Sequence, residues 1–303
     1  MLSFSAPPSN PSRPSRAIHG WAAFFALALG VGLGCDSGSR GKDASPATSQ
    51  QMAQVAVRLD LPSGGAPSVS VLAFRAEAVD VAAADVLGAV DPLVVAAPLS
   101  SCELRDVAGS ARMMRTQGGS VSLQELGGVT LQVSADESLH PAPRVYPPLA
   151  DVVGGVIAEA GPLDLGQLPE ALTLALATPT SDRAMVKLSL PNAPSVSDSS
   201  ETPLDAHTTM SMKGDLVLRV SGPPRTFLEI RPFGAPSAIA CAVSSGGWVV
   251  VPHDLLVKLV ATAGRAPVSF EAVWREDRAV QAGNETTRIS FEARSSAVLE
   301  LRP

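Results

Sequence analysis

Residues 54–61 read QVAVRLDL, and this stretch decides the class of fold. Large aliphatic side chains at positions 55, 57, 59 and 61 alternate with small or charged ones. A period of two is typical of a strand with one buried face. Turn residues at 62–65 (PSGG) end the run, and residues 68–74 (SVSVLAF) alternate again. The sequence therefore predicts two consecutive strands here.

The same pattern returns in short pieces up to residue 190. Residues 120–133 (SVSLQELGGVTLQV) predict two strands joined by a Gly127-Gly128 turn, which is a hairpin signal. Further short strands are predicted at 172–177 and 185–190. We therefore expect one β-rich domain over residues 54–190.

A second module is expected after a change in composition. Residues 191–212 (PNAPSVSDSSETPLDAHTTMSM) are rich in proline and serine and nearly free of large apolar side chains, which is typical of a linker between domains. The remaining residues, 213–303, have the length of one small β-sandwich. The strands predicted in it are residues 215–220, 226–232, 238–243, 248–251, 268–275, 286–293 and 297–302. Seven strands in this length predict an immunoglobulin-like sandwich.

Two local features complete this second module. Residues 254–260 (DLLVKLV) predict one or two helical turns, capped by His253 or Asp254. In residues 268–275 the side chains of 270, 272 and 274 face one way, and those of 271, 273 and 275 face the other. The predicted fold class is thus mainly β: an N-terminal signal and a flexible tether, then two β-rich modules, the second immunoglobulin-like.

The amino terminus predicts export. Residues 20–34 (GWAAFFALALGVGLG) are uncharged and follow a segment that contains two arginines and no acid. Fifteen residues are few for a membrane span and suit the apolar part of a secretory signal. The Leu-Gly-Cys junction at Cys35, followed by a polar stretch, resembles the lipobox of bacterial lipoproteins. That resemblance implies a signal peptide over residues 1–34, lipidation of Cys35, and a flexible tether over residues 35–53. Cleavage elsewhere and an uncleaved anchor stay open.

The other two cysteines, Cys102 and Cys241, form the natural pair for a disulfide in an oxidising compartment. The bridge would close a loop of 139 residues. Two separately buried free thiols are the alternative, because cysteine packs as a small hydrophobic residue. The sequence contains no C-x-x-C and no zinc-binding spacing, so it predicts no metal site through sulfur.

The segment FLEIRPFG…AIACAVSSGGWVVVPHDLLVKL resembles the C-terminal module of uncharacterised envelope lipoproteins from myxobacteria and related bacteria. The matching positions are Cys241, Gly246, Gly247, Pro252, Leu255, Leu256 and Leu259. The resemblance implies an envelope location and a β fold, and it transfers no catalytic residue or ligand.

Motifs that carry chemistry are missing from the sequence. The histidines are His19, His140, His207 and His253, and neither H-E-x-x-H nor G-x-S-x-G occurs. Acidic residues at 198, 201 and 205 lack the spacing of a calcium loop and are interpreted as a solvated linker. We therefore predict no catalytic residue, no metal and no cofactor.

Three aromatic positions admit two interpretations each. Trp248 and Trp274 are interpreted as core residues, with an aromatic ligand platform as the alternative. Residues 141–148 (PAPRVYPP), which contain Tyr146, are interpreted as an irregular loop, with a polyproline recognition segment as the alternative.

Charge and composition limit the classes of function. The net charge of -6 excludes a nucleic-acid binder, which needs a cationic surface. We expect a protein of the bacterial cell envelope, exported and anchored in the membrane by lipid, on the periplasmic face or the cell surface. Its expected role is non-enzymatic, structural or protein-binding, with an envelope protein as partner and edge-strand pairing as the mode of binding.

Two other classes of function stay open. The first is a periplasmic or surface hydrolase with a dispersed Ser/His/acid site, which is defined by geometry rather than by sequence spacing. The second is a small-ligand carrier with an apolar cavity lined from residues 81–97, a stretch that fits a short helix or a buried strand.

Overall fold

The computed structural model describes residues 49–79, 101–106, 120–149, 153–177, 183–205, 208–233, 237–263, 267–282 and 285–302. Within these ranges the chain is mainly strand, as predicted, with one helix, α1 (His253–Ala263). Residues 1–48, with the predicted signal and Cys35, lie outside the described residues, and so do residues 81–97. The strands are β1 (Ser49–Pro62), β2 (Ser68–Val79), β3 (Cys102–Asp106), β4 (Ser120–Glu125), β5 (Val129–Gln132), β6 (Ser138–Leu139), β7 (Ala142–Leu149), β8 (Val153–Asp164), β9 (Ala171–Ala177), β10 (Arg183–Ser189), β11 (Ser195–Ser197), β12 (Thr209–Ser211), β13 (Leu216–Ser221), β14 (Phe227–Pro232), β15 (Ser237–Ala242), β16 (Trp248–Val251), β17 (Val268–Ala282) and β18 (Glu285–Arg302).

One large sheet runs through the molecule. Its strand order is β3-β15-β14-β17-β18-β1-β2-β4-β8-β7, and β12 pairs with the end of β18. β1 pairs antiparallel with β2 and parallel with β18. β17 and β18 form a long antiparallel hairpin in the middle of the sheet, with β14 on one side and β1 on the other. Strands from both predicted modules therefore share one sheet.

Two smaller sheets cover one face of the large sheet. The first has the order β10-β9-β5-β6, and the second has the order β11-β13-β16. The first packs on β1, β2 and β18 around Val57, Leu131 and Leu174. The second packs with α1 on β14, β15 and β17 around Leu218 and Phe270. Each pair of layers is a β-sandwich with its own hydrophobic core.

β18 contributes to both cores from the same face. Ile289, Phe291 and Ala293 enter the first core, and Ala297 and Leu299 enter the second. All five positions are odd-numbered, so in one extended strand they point the same way. The predicted strands at 286–293 and 297–302 are thus a single strand of 18 residues.

The stretch predicted as a linker, residues 191–212, belongs to the second sandwich. It contains β11 and β12, and Val196, Leu204 and Met210 are buried in the core. Its large apolar side chains are few, but all four of them, Val196, Leu204, Met210 and Met212, are buried. The low hydrophobic content of residues 191–212 therefore reflects short strands at the edges of sheets, and these residues are not a linker between domains. The first strand also begins earlier than predicted, because β1 starts at Ser49, inside the predicted tether.

The predicted hairpin at 120–133 differs from the observed pairing. Both strands exist, but β4 pairs with β2 in the large sheet and β5 pairs with β9 in the small one. Gly128 carries the chain from one sheet to the other with φ of 72°, and a Cβ added there would lie 2.6 Å from the Cβ of Ala177. Gly127-Gly128 therefore lies where the chain crosses from one layer to the other. Such a crossing, like a turn, requires a residue with positive φ.

The helix and the proline-rich segment also differ from expectation. α1 has 11 residues, and its first backbone N–H, at His253, donates to Oδ1 of Asp215 at 2.9 Å. The cap is therefore supplied by the residue before β13 rather than by His253 or Asp254. Residues 141–148, interpreted as an irregular loop, lie mostly in β7, which pairs with β8 as far as a bulge between Tyr146 and Leu149.

Candidate functional site

A groove of about 430 Å³ lies on the outer face of the four-stranded sheet. Its floor is formed by Ala175 and Ala177 of β9, so we call it the β9 groove. Arg183 and Met185 of β10 form one wall. The other wall is residues 134–138, together with His140. The volume lies in the range that is usual for ligand sites in proteins.

The register of the sheet explains why a groove forms. Ala175 is paired with Met185 on one side and with Thr130 on the other. Ala177 is paired with Arg183 on the β10 side. Because paired residues point to the same face, a row of small side chains on β9 lies beside a row of long side chains on β10. The trough between the walls follows from that difference in size.

His140 contributes an imidazole ring to the groove. Its Nε2 lies 2.9 Å from Oγ of Ser138, and its Nδ1 lies 3.4 Å from Oγ1 of Thr130. A neutral imidazole has one donor and one acceptor nitrogen, so the two hydroxyls satisfy both. Asp136 and Glu137 also line this wall.

The Ser138–His140 contact has two of the three parts of a nucleophile–base–orienter arrangement. The group at Nδ1 is a threonine hydroxyl, whereas the Ser/His/Asp arrangement needs a carboxylate there to stabilise an imidazolium. Both side chains are also exposed to solvent. The arrangement is therefore better suited to hydrogen bonding with a ligand than to activating the serine.

A second unusual region lies on the opposite face of the large sheet. Glu229, Arg275, Glu292 and Arg294 are each at most 8% exposed. They come from the adjacent strands β14, β17 and β18. Arg294 is 2.8 Å from Glu292 and 3.1 Å from Glu271, and Arg275 is 3.3 Å from Glu292. Arg231 contacts Glu229. We call these four residues, together with Glu271 and Arg231, the charged face; in it each acid lies against at least one guanidinium.

A polar chain extends the charged face to β1. Arg275 donates to Oγ of Ser290 at 2.8 Å, and that hydroxyl donates to Asp277 at 2.6 Å. Nε2 of Gln54 also donates to Ser290, at 2.8 Å. Among the described residues, Oε1 of Gln54 has no hydrogen-bond partner. The chain crosses β17, β18 and β1, so it ties three neighbouring strands together.

The protonation behaviour of the charged face depends on burial and on its arginines. Burial disfavours the ionised form of Glu292, but Arg294, Arg58 and Arg275 outweigh it and hold the pKa of that carboxyl below its usual value. Burial dominates at Glu229 and raises its pKa, although Arg294 and Arg231 act in the opposite direction. Two acids in one cluster are thus shifted in opposite directions.

The second small sheet carries an exposed aromatic side chain. Trp248, interpreted from the sequence as core, is 39% exposed on the outer face, where the guanidinium of Arg219 lies 5.7 Å from its ring centroid. Trp274 is half-buried and packs edge-on against Phe291 in the first core, as expected, with ring centroids 5.7 Å apart. Of these two tryptophans, Trp248 is therefore the one that is available at the surface.

The structure joins Cys102 and Cys241 in a disulfide between paired positions of β3 and β15. Cys35 and His207 lie outside the described residues. His253 begins α1 and lies apart from His140, in a different sandwich. Asp198, taken as part of a solvated linker, accepts hydrogen bonds from the backbone N–H groups of Ser200 and Thr202 and so closes a local turn.

Sequence reasoning singled out His140 and missed the rest of the β9 groove. The alternation ALTLALA at 171–177 does give small outward side chains, which was a usable signal for a shallow sheet face. The height of the walls depends on which strands lie beside β9, and that pairing is not visible in a local pattern.

No protein-family model matches the chain, and no curated protein matches it. In the part of the chain that the structure describes, no helix is both long enough and apolar enough to cross a membrane. Within those same residues, no three His, Cys, Asp or Glu side chains are grouped so that they could hold a metal ion.

Proposed function

We propose that this protein is a lipid-anchored protein of the bacterial cell envelope and that it acts as a non-enzymatic module binding another envelope protein. The β9 groove is the observation that carries the binding role. It is preformed by sheet register, is open to solvent, and offers hydroxyl, imidazole, carboxylate and guanidinium groups on its two walls. Cofactors and metals play no part in the proposal.

The disulfide supports the export part of the proposal. Disulfides persist in oxidising compartments and are rare where thiols are kept reduced. Cys241 is fully buried, and the bridge joins the outermost strand β3 to β15. A disulfide between two strands of the large sheet supports folding in an oxidising compartment outside the cytoplasm.

The anchor is tested by intact-mass spectrometry of the protein purified from the membrane fraction. We expect a chain that begins at Cys35 and carries three acyl chains, because several chains give firm anchoring where one is marginal. Cys35→Ser should lose the lipid and leave the membrane fraction. A mass without lipid, or a chain that begins elsewhere, would overturn the anchor.

The binding role is tested by affinity purification after chemical crosslinking in intact cells. We expect the same envelope protein to be recovered in independent preparations of the lipidated chain. The Cys35→Ser variant is the matched control, since it retains the groove and changes only the anchor. Failure to recover a reproducible partner would contradict the binding role.

A hydrolase is the second candidate, favoured by the 2.9 Å contact between Ser138 and His140 in a groove. The test is labelling by a fluorophosphonate, which reacts with activated serines. Under the proposed function the purified protein is not labelled. Labelling that disappears in both Ser138→Ala and His140→Ala would establish the hydrolase instead.

A further inference from the structure

We propose that the β9 groove holds an extended segment of the partner protein, lying along β9, with acidic side chains toward Arg183 and basic side chains toward Asp136 and Glu137. The inference rests on the proposed function and names the kind of partner. Its basis is the shape of the groove, its two oppositely charged walls and its lining chemistry.

The shape of the groove fits an extended chain. Its floor follows β9, with the small side chains of Ala175 and Ala177 in line and Gly128 beside them. Met185, 58% exposed on the β10 wall, offers an apolar surface above that floor. A trough parallel to a strand accepts another extended backbone lengthwise.

The charges of the two walls are opposite in sign. Arg183 lines the β10 wall, and Lys187 continues the same outward row four positions further on. Asp136 and Glu137 line the facing wall. All four side chains are exposed, so they can meet charged groups of a partner without prior rearrangement. A bound segment with acids on one edge and bases on the other would satisfy both walls.

The lining also matches the hydrogen-bonding needs of a peptide. Thr130, Gln132 and Ser138 carry groups that both donate and accept, as a peptide backbone requires. Single-stranded nucleic acid is disfavoured by the acidic wall, and a sugar ring by the absence of Trp, Tyr and Phe among the described lining residues. A protein segment is the class that remains.

The experiment places a photo-crosslinking amino acid, p-benzoylphenylalanine, at one position at a time in the full-length, anchored protein. Position 185 lies on the groove wall. Val145 on β7 and Val257 on α1 are exposed positions on other elements and serve as matched controls. We expect a crosslink to one envelope protein from position 185 and none from 145 or 257.

The crosslinked segment, identified by mass spectrometry, is then made as a synthetic peptide and titrated against the purified protein. Ala175→Trp should fill the floor, and Arg183→Glu should reverse one wall. Each should weaken binding by at least about tenfold, a change of about 1.4 kcal/mol. Added salt should weaken binding to the unsubstituted protein, because exposed charges are screened.

The outcomes separate this inference from the proposed function. Crosslinks only from 145 or 257 would show that the partner binds outside the β9 groove. A peptide that binds Ala175→Trp as tightly as the unsubstituted protein would show the same. Either result would contradict this inference but not the proposed binding of a partner protein. No crosslink from any position, together with no partner in the affinity purification, would overturn both.

Discussion

The carboxylate of Glu292 lies among three guanidinium groups, those of Arg294, Arg275 and Arg58. Two of these arginines, Arg294 and Arg275, are also buried. A buried ion pair contributes little compared with an apolar pair of the same shape, but removal of one partner leaves uncompensated charge. Neutralisation of Glu292 alone is therefore costly.

We predict that Glu292→Gln lowers the free energy of unfolding by about 3 kcal/mol or more at neutral pH. The amide keeps the size of the side chain but leaves Arg294 and Arg275 without their shared anion. Urea denaturation followed by circular dichroism measures the change. A loss below about 1 kcal/mol would show that the arginines are neutralised by other groups.

The pH dependence of this loss follows from the lowered pKa of Glu292. A carboxyl with a lowered native pKa contributes stability in full above its ordinary pKa of about 4.3, and this contribution disappears as pH falls through the native value. The difference between the unsubstituted protein and Glu292→Gln should therefore be constant near neutrality and shrink in acid. The measurement is urea denaturation of both proteins between about pH 3 and pH 7.

Glu229→Gln is the matched control, because burial raises the pKa of Glu229 instead. A raised native pKa means that protonation favours the folded state, so this contribution is present at low pH and is lost as pH rises through the native value. The unsubstituted protein should gain stability relative to Glu229→Gln as pH falls. The same trend for both variants would contradict the assigned shifts.

At the scale of elements, the start of α1 depends on a residue 38 positions earlier. Oδ1 of Asp215 accepts from the N–H of His253, and the carbonyl of Pro252 accepts from Leu255 and Leu256. Leu256 and Leu259 are fully buried, so the helix joins the second core through one side. A carboxylate near the first turn also interacts favourably with the partial positive charge at the N-terminus of the helix.

We predict that Asp215→Ala destabilises the protein by about 1 kcal/mol, because the N–H of His253 loses its acceptor. Asp215→Asn keeps an acceptor oxygen and should recover most of that loss. Thermal denaturation monitored by tryptophan fluorescence compares the three proteins. Equal stability of the alanine and asparagine variants at a reduced level would assign the effect to charge rather than to the cap.

The edge strand β7 is a poor site for β-strand addition, which was the expected mode of partner binding. Pro143 has no N–H to offer, so in the ladder with β8 it must occupy a position whose backbone points away from that strand. Pro147 and Pro148 follow in the bulge. Prolines at this edge limit pairing with another chain. The argument concerns the β7 edge, so β-strand addition is disfavoured at that end of the large sheet.

Local patterns predicted the elements better than their partners. Alternation found β1 and β2 because each buries one face, but it could not show that β1 pairs with β18, since Val55 and Ile289 are far apart in the chain. It divided β18 into two predicted strands, because this one strand serves two cores. For the same reason His140 was visible in the sequence, while the β9 groove depends on pairing between β5, β9 and β10.

At the scale of the whole molecule, the two sandwiches share one continuous sheet. The hairpin β17–β18 reaches both cores, with Phe291 in the first and Phe270 in the second. The charged face runs along the opposite side of this hairpin. We expect the two sandwiches to unfold together, because neither retains its sheet if the hairpin opens.

The disulfide links the end strand of the large sheet to its neighbour and closes a loop of 139 residues. Cys102 and Cys241 are 139 residues apart, and their strands β3 and β15 are paired. The chain-entropy model gives a bridge of this span about 4–5 kcal/mol of stabilisation. Because β3 pairs with β15 alone among the described strands, reduction should release β3 before the rest of the sheet.

We predict that the double variant Cys102→Ala/Cys241→Ala unfolds at a lower urea concentration than the oxidised protein and is insensitive to reductant. Alanine avoids an unpaired hydroxyl at the buried position 241. Hydrogen exchange should accelerate first at residues 102–106 when the unsubstituted protein is reduced, since β3 then keeps only its ladder to β15. Exchange that accelerates equally in β3 and in β1 would mean that the bridge stabilises the whole sheet through the unfolded state. Unchanged stability and exchange on reduction would instead show that the pairing of β3 with β15 is sufficient without the bridge.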